Sequence, residues 1–209
     1  MNVLAIGAHF DDLELGCGGA LARHVLRKDR VTGFVATASG YSDAGGKAVR
    51  ENEAAKAEAF EASKIIGYEL ITGEIPTFRL EFCDELTAAM TRIIEEQKPD
   101  LIYTHWMHDV HHDHRNLALS TLHAARHIPR ILLYRSNYYG SGESFSENFF
   151  VDITETWAAK ERAIQAYMTE MRRTQGEWLE WLRMDAANQG RKIGTRYAEA
   201  FQAVRWLAD

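Results

Sequence analysis

Two short stretches of this 209-residue sequence gather the side chains that bind metals and move protons. Residues 8–14 read A-H-F-D-D-L-E, with His9 and Asp12 three positions apart, so one turn can aim both at a single point. Imidazole together with carboxylate suits zinc and its neighbours among the divalent metals. A lone aspartate at such a place would be read as a helix cap. Asp11 beside Asp12 weakens that reading, because adjacent carboxylates repel unless a cation is present. Residues 108–115 read H-D-V-H-H-D-H-R, and four of the nine histidines fall between His105 and His112, with His114 close behind. Taken singly, each histidine reads as an ordinary core or surface residue. As a cluster they can complete an open zinc site, which needs three protein ligands and a water: His9, Asp12 and one histidine of the second stretch.

The neighbouring groups then acquire roles. Asp11 can take a proton from the activated water as general base, and His111, protonated and held by Asp113, can stabilise a developing oxyanion or protonate a leaving amine. Other readings fall away. The G-C-G-G run at 16–19 lies inside a helical pattern rather than ahead of one, so close helix packing explains it better than a phosphate loop. Cys17 has no arranged base and reads as an inert buried thiol. The tryptophans and methionines between 157 and 181 read as core or subunit interface.

Elements that would position these loops are visible as alternating patterns. Apolar or β-branched runs at 3–8, 31–38, 68–72, 100–105 and 131–134 predict strands. Helical periodicity follows the first motif as far as Leu26, then recurs at 49–66, 84–97, 117–125, 157–167 and 174–188. Strand and helix in alternation predict an α/β fold, a mostly parallel sheet with helices on both faces. Both chemical stretches then fall on loops after strands, where open α/β sheets bind ligands. The polar, glycine-containing loops at 40–48 and 138–148 are expected at the pocket rim.

Composition narrows the classes further. The length favours one domain over residues 1–209. A 46% hydrophobic and 26% charged chain folds as a globule. Thirty acidic against 24 basic residues, for a net charge of −6, argue against a nucleic-acid partner. Two cysteines are too few for a disulfide framework, and no run is long enough to span a membrane. The first apolar run lacks a basic flank or cleavage site, so a cytoplasmic protein without membrane association is expected.

The motifs A-H-x-D-D-x-E at 8–14 and D-x-H-x-D-H at 109–114 resemble those of the LmbE-like, or PIG-L, family of zinc-dependent N-acetylglucosamine-type deacetylases. The similarity extends through Arg50 and Glu53 and through Y-A-E-A-F at 197–201. The resemblance implies that His9, Asp12 and His114 bind one Zn²⁺ per chain, with another divalent metal able to replace it. It implies Asp11 as general base, His111 as oxyanion stabiliser or acid, and Asp113 as the group that orients His111. Arg50 either anchors the substrate, braces the loop or forms a buried pair with Glu53. The implied fold is Rossmann-like, the implied assembly a homo-oligomer, and the implied reaction removal of an N-acyl group, an N-acetyl above all, from an amino sugar or its conjugate. Phe10 and His112 stand where the family has proline; Phe10 is expected to bring a ring near the metal, and His112 to be a surface residue. Two alternatives stay open: hydrolysis of a different amide, and a zinc-binding module without catalysis, which would close the site with a fourth protein ligand.

Overall fold

The computed structural model describes residues 1–208. In chain order the first half runs β1 (Asn2–Gly7), α1 (Asp12–Leu26), β2 (Arg30–Thr37), β3 (Tyr41–Ser42), β4 (Ala48–Arg50), α2 (Asn52–Ile66), β5 (Glu69–Ile75) and α3 (Asp84–Gln97). There follow β6 (Leu101–His105), α4 (His112–Ala124), β7 (Arg130–Tyr134) and β8 (Phe149–Asp152). The chain ends with α5 (Trp157–Gln165), α6 (Met168–Arg173), α7 (Glu177–Ile193) and β9 (Ala198–Trp206).

Seven strands form one sheet in the order β5-β2-β1-β6-β7-β9-β8. The five from β5 to β7 are parallel, whereas β9 runs antiparallel to both β7 and β8. The expected mostly parallel α/β sheet is therefore present. Strand order reverses between β1 and β6, and the crevice beyond the carboxyl ends of those two strands is where such a fold places a ligand.

Successive side chains of a strand point to opposite faces, and β1 shows the consequence. Val3 and Ala5 join a core with Leu13, Cys17, Leu21, Tyr68 and Tyr103, under α1 and α2. Leu4 and Ile6 join a second core with Leu86, Met90, Ile94 and Leu117, under α3 and α4. A third cluster, Leu15, Ile153, Trp157, Ile164 and Leu182, ties α5 and α7 to α1.

The structure departs from the sequence reading toward the carboxyl end. The region expected as two helices holds three, and β8 and β9 were not foreseen. β8 is four half-buried residues at a sheet edge, too short for a periodicity to declare itself. α2 begins at Asn52 rather than near 49, because 48–50 pair with β3 in a small hairpin. Among the described residues no helix is long and apolar enough to cross a membrane.

The glycine run in α1 is explained by packing, as expected. A Cβ on Gly16 would stand 2.1 Å from Cδ2 of Tyr134, whose hydroxyl donates to the carbonyl of Ile6 at 2.8 Å, and one on Gly19 would stand 2.8 Å from Ile153. Gly16→Ala must therefore displace a buried ring, at a cost of about 1–3 kcal/mol or more. Thermal unfolding should fall by several degrees; an unchanged Tm would show that α1 has room to move.

Candidate active site

The loop after β1 is a tight turn. The backbone N–H of His9 donates to Asp12 Oδ2 at 2.7 Å, and the N–H of Asp12 returns to the carbonyl of His9 at 3.2 Å. Asp11 occupies the N-cap position of α1 with φ 113°, in the left-handed region that residues other than glycine rarely adopt, yet its side chain caps nothing. The capping explanation for Asp11 therefore fails, and backbone strain of this kind gathers at functional sites.

From the other side, the loop after β6 brings His114 in the first turn of α4. Three groups converge: His9 Nδ1 lies 3.2 Å from His114 Nε2, Asp12 Oδ1 lies 3.3 Å from His114 Nε2, and Asp12 Oδ2 lies 3.4 Å from His9 Nδ1. A tetrahedral zinc with bonds of about 2.0–2.1 Å needs ligand atoms about 3.3–3.4 Å apart. The outward-facing atoms meet carboxylates: His9 Nε2 lies 2.9 Å from Asp113 Oδ2, and His114 Nδ1 lies 3.3 Å from Asp109 Oδ2. Against the effect of burial, Asp113 and Asp12 raise His9, and Asp12 and Asp109 raise His114 to about 10, so the surroundings favour positive charge at this point. The donor set fits a divalent metal.

Two other histidines come near enough to compete as ligands. His105, wholly buried, stacks on His114 with ring centroids 3.9 Å apart, and its Nε2 stands 3.1 Å from Asp12 Oδ2. That nitrogen also accepts the N–H of Ala8 at 3.0 Å, so His105 backs Asp12 rather than facing the cleft. His111 caps α4, its Nδ1 accepting the backbone N–H of Asp113 at 3.2 Å. The proton of its neutral ring therefore sits on Nε2, and the ring lines the cleft.

Electrostatics follow from burial and these contacts. Burial opposes the Asp12 charge, but the His114 and His105 rings outweigh it and hold the carboxyl well below the usual carboxylate range. Burial pushes Asp11 well above that range against the pull of Arg50, which suits a group that must accept a proton. Burial, and then the proximity of His114 and His9, lowers His111 to about 3. A neutral His111 would act as a hydrogen-bond donor through Nε2, where a protonated imidazole was expected.

Three further expectations change. The Asp113 carboxylate faces His9 rather than the His111 ring; N–H groups of Phe78 and Leu80, at 2.8 and 3.1 Å, turn it that way. Arg50 does not pair with exposed Glu53: its Nη1 donates to the carbonyl of Phe10 at 3.0 Å and to Asp11 Oδ2 at 3.2 Å, and its Nη2 reaches Glu58 at 3.4 Å. Phe10 adds no ring near the metal-binding groups, because its side chain is buried in the core and its N–H donates to Ser39 Oγ at 2.8 Å. His112, the first residue of α4, is exposed as expected, with Nε2 3.2 Å from the carbonyl of Phe78. Proline is equally at home at that position, since its missing N–H is unpaired there anyway.

Sequence reasoning passed over several supports. Asp109 sits within the second motif without a role assigned; it accepts the N–H of His111 at 2.8 Å and is held by Asn137 through both oxygens. Ser136 donates to Asp12 Oδ1 at 2.7 Å from the loop after β7. A cleft of about 730 Å³ opens above these groups, and Tyr41, Tyr139 and Gly140 bring both foreseen rim loops to it. Trp178 lines it as well, where core packing or an interface was preferred to a ligand cleft.

Comparison with known proteins identifies the family and the fold. Residues 4–125 match the PIG-L family, described as GlcNAc-PI de-N-acetylase. The chain is 33% identical over 169 residues to the uncharacterized deacetylase YaiS of Escherichia coli (strain K12), covering 75% of this chain and 84% of that one. It is 25% identical to the diacetylchitobiose deacetylase of Thermococcus kodakarensis over 97% of this chain and 83% of that protein. Its fold matches the N,N'-diacetylchitobiose deacetylase of Pyrococcus horikoshii with a TM-score of 0.83 at 22% identity, over 97% of this chain and 83% of that one. It matches the conserved protein TT1542 of Thermus thermophilus equally well, with a TM-score of 0.83 at 24% identity, over 100% and 97% of the two chains. The chain belongs to the PIG-L family of de-N-acetylases.

Proposed function

We propose that this protein hydrolyses the N-acyl group, an N-acetyl above all, of an amino sugar or amino-sugar conjugate, with His9, Asp12 and His114 holding one zinc ion. The observation that carries the reading is the convergence of those three side chains, at ligand spacing, beside Asp11 on the floor of an open cleft. A zinc ion bound there would supply Lewis acidity toward the attacking water and the scissile carbonyl.

The chain's own groups do the rest. Asp11, held by Arg50 and raised by burial, accepts a proton from water as its oxygen bonds to the carbonyl carbon. The Nε2–H of His111 donates to the carbonyl oxygen as negative charge develops there. When the C–N bond breaks, the proton on Asp11 passes to the departing amine, leaving a carboxylic acid and an amino sugar. Asp113 keeps the His9 lone pair turned toward the metal, the usual work of a carboxylate behind a metal-bound imidazole. Arg50 acts on the substrate through Asp11, since it is almost wholly buried and both terminal nitrogens are engaged.

A zinc module without catalysis has no use for an uncoordinated, strained aspartate or an open cleft. The reading also includes a cytoplasmic homo-oligomer. Two free cysteines support the location, and the assembly rests on the family resemblance alone.

Acetate release from N-acetylated amino sugars, compared between chelated and zinc-restored protein, tests the reaction. Release should require zinc, and Asp11→Asn should retain the metal while losing about 10²-fold or more in kcat. Full turnover by that variant would remove Asp11 from the mechanism. Asp113→Ala should weaken zinc binding about 10- to 100-fold in chelator competition. Unchanged affinity would return Asp113 to the orientation of His111.

A further inference from the structure

α6 lies outside the stretch matched by the family, yet it supplies a buried carboxylate to the cleft. Glu170 is only 3% exposed. Its Oε1 accepts the Tyr41 hydroxyl at 3.2 Å and its Oε2 accepts Arg173 Nε at 2.6 Å. The helix is fixed from below, where the N–H and hydroxyl of Thr169 donate to Glu58 at 2.8 and 2.6 Å, the same carboxylate that meets Arg50. Glu170 is therefore held in place on the side of the cleft that contains Asp11 and Arg50.

A continuous wall surrounds it. Phe78 stacks on His111 with centroids 5.4 Å apart and meets Tyr41 edge-on at 6.1 Å. Beyond Glu170, Arg173 lies over the Trp178 ring at 5.1 Å. Thr77, beside Phe78, also lines the cleft and carries a buried hydroxyl without a partner. Ring faces thus alternate with charged or polar groups, which suits a pyranose: apolar C–H faces need aromatic surface, and hydroxyls on the rim need acceptors. A carboxylate has about four acceptor sites; the Tyr41 hydroxyl and the Nε and Nη2 of Arg173 take three, which leaves Glu170 capacity for one more donor.

We propose that Glu170 accepts a ring hydroxyl of the substrate and makes the cleft selective for amino-sugar amides over acyclic amides. This rests on the deacetylase reading above. Glu170 acts on specificity rather than on the reacting atoms.

The test compares kcat/KM for N-acetylglucosamine and for N-acetylethanolamine, which carries the same acyl amide without a ring. Glu170→Gln should lower the ratio of the two values about 10- to 100-fold, the usual worth of a hydrogen bond to a charged group. The ratio cancels any effect of Glu170 on Asp11, which both substrates share. Glu170→Asp keeps the charge but withdraws the carboxylate, and should lower the ratio in the same direction. An equal loss on both amides, or an unchanged ratio, would overturn the proposal. Equilibrium binding of glucosamine, which needs no turnover, separates the two claims. A wild type that turns over neither amide, yet binds glucosamine in a Glu170-dependent manner, keeps this subsite and rejects the deacetylase. Turnover with Glu170-independent binding and an unchanged ratio does the reverse.

Discussion

Two imidazole nitrogens facing each other at 3.2 Å, with a carboxylate beside both, form the constraint on which the rest of this structure depends. It persists because the opposite edge of each ring is fixed by a buried acid, Asp113 behind His9 and Asp109 near His114, and because His105 stacks under His114. Those acids are themselves held by backbone N–H groups and by Asn137. A cation is the simplest partner for a geometry maintained by so many buried polar groups.

The fold delivers that geometry through one topological feature. β1 and β6 are neighbours in the sheet although about a hundred residues separate them, and their chains leave in opposite directions into α1 and α4. Each of the two loops thus contributes half of a site. The strained Asp11 is the local cost of turning directly from β1 into α1 with two consecutive acids aimed differently, one toward His9 and His114, the other toward Arg50. Residues far along the chain then complete the surroundings: Ser136 after β7, and α6 and α7 along the cleft wall.

Much of this was legible in the sequence, because the chemistry is written in two local motifs and the strands before them are short, apolar and β-branched. His9, Asp12 and an unspecified histidine of the second motif could be picked out for that reason, and so could the parallel α/β sheet; the choice of His114 came from the family resemblance. What sequence could not supply is direction. Asp113 adjoins His112 and His114 in the chain, but which ring it meets is decided by two N–H groups of the loop after β5, a tertiary fact. Phe10 follows His9, yet it turns into the core, because Ser39 takes its N–H. His105 looked ordinary by itself, and Glu170 carries no motif at all. β8 escaped because it is a short, half-buried edge strand, and β9, although it lies between β7 and β8, escaped because its burial alternates only weakly.

Metal-edge X-ray absorption on zinc-loaded wild type and His111→Ala tests most directly whether three protein ligands hold the metal with one position left open. Two imidazole nitrogens, one carboxylate oxygen and a light solvent ligand are expected, with the spectrum unaltered by His111→Ala. A third imidazole that vanishes in His111→Ala would contradict this, by showing a closed site in which the metal braces two loops.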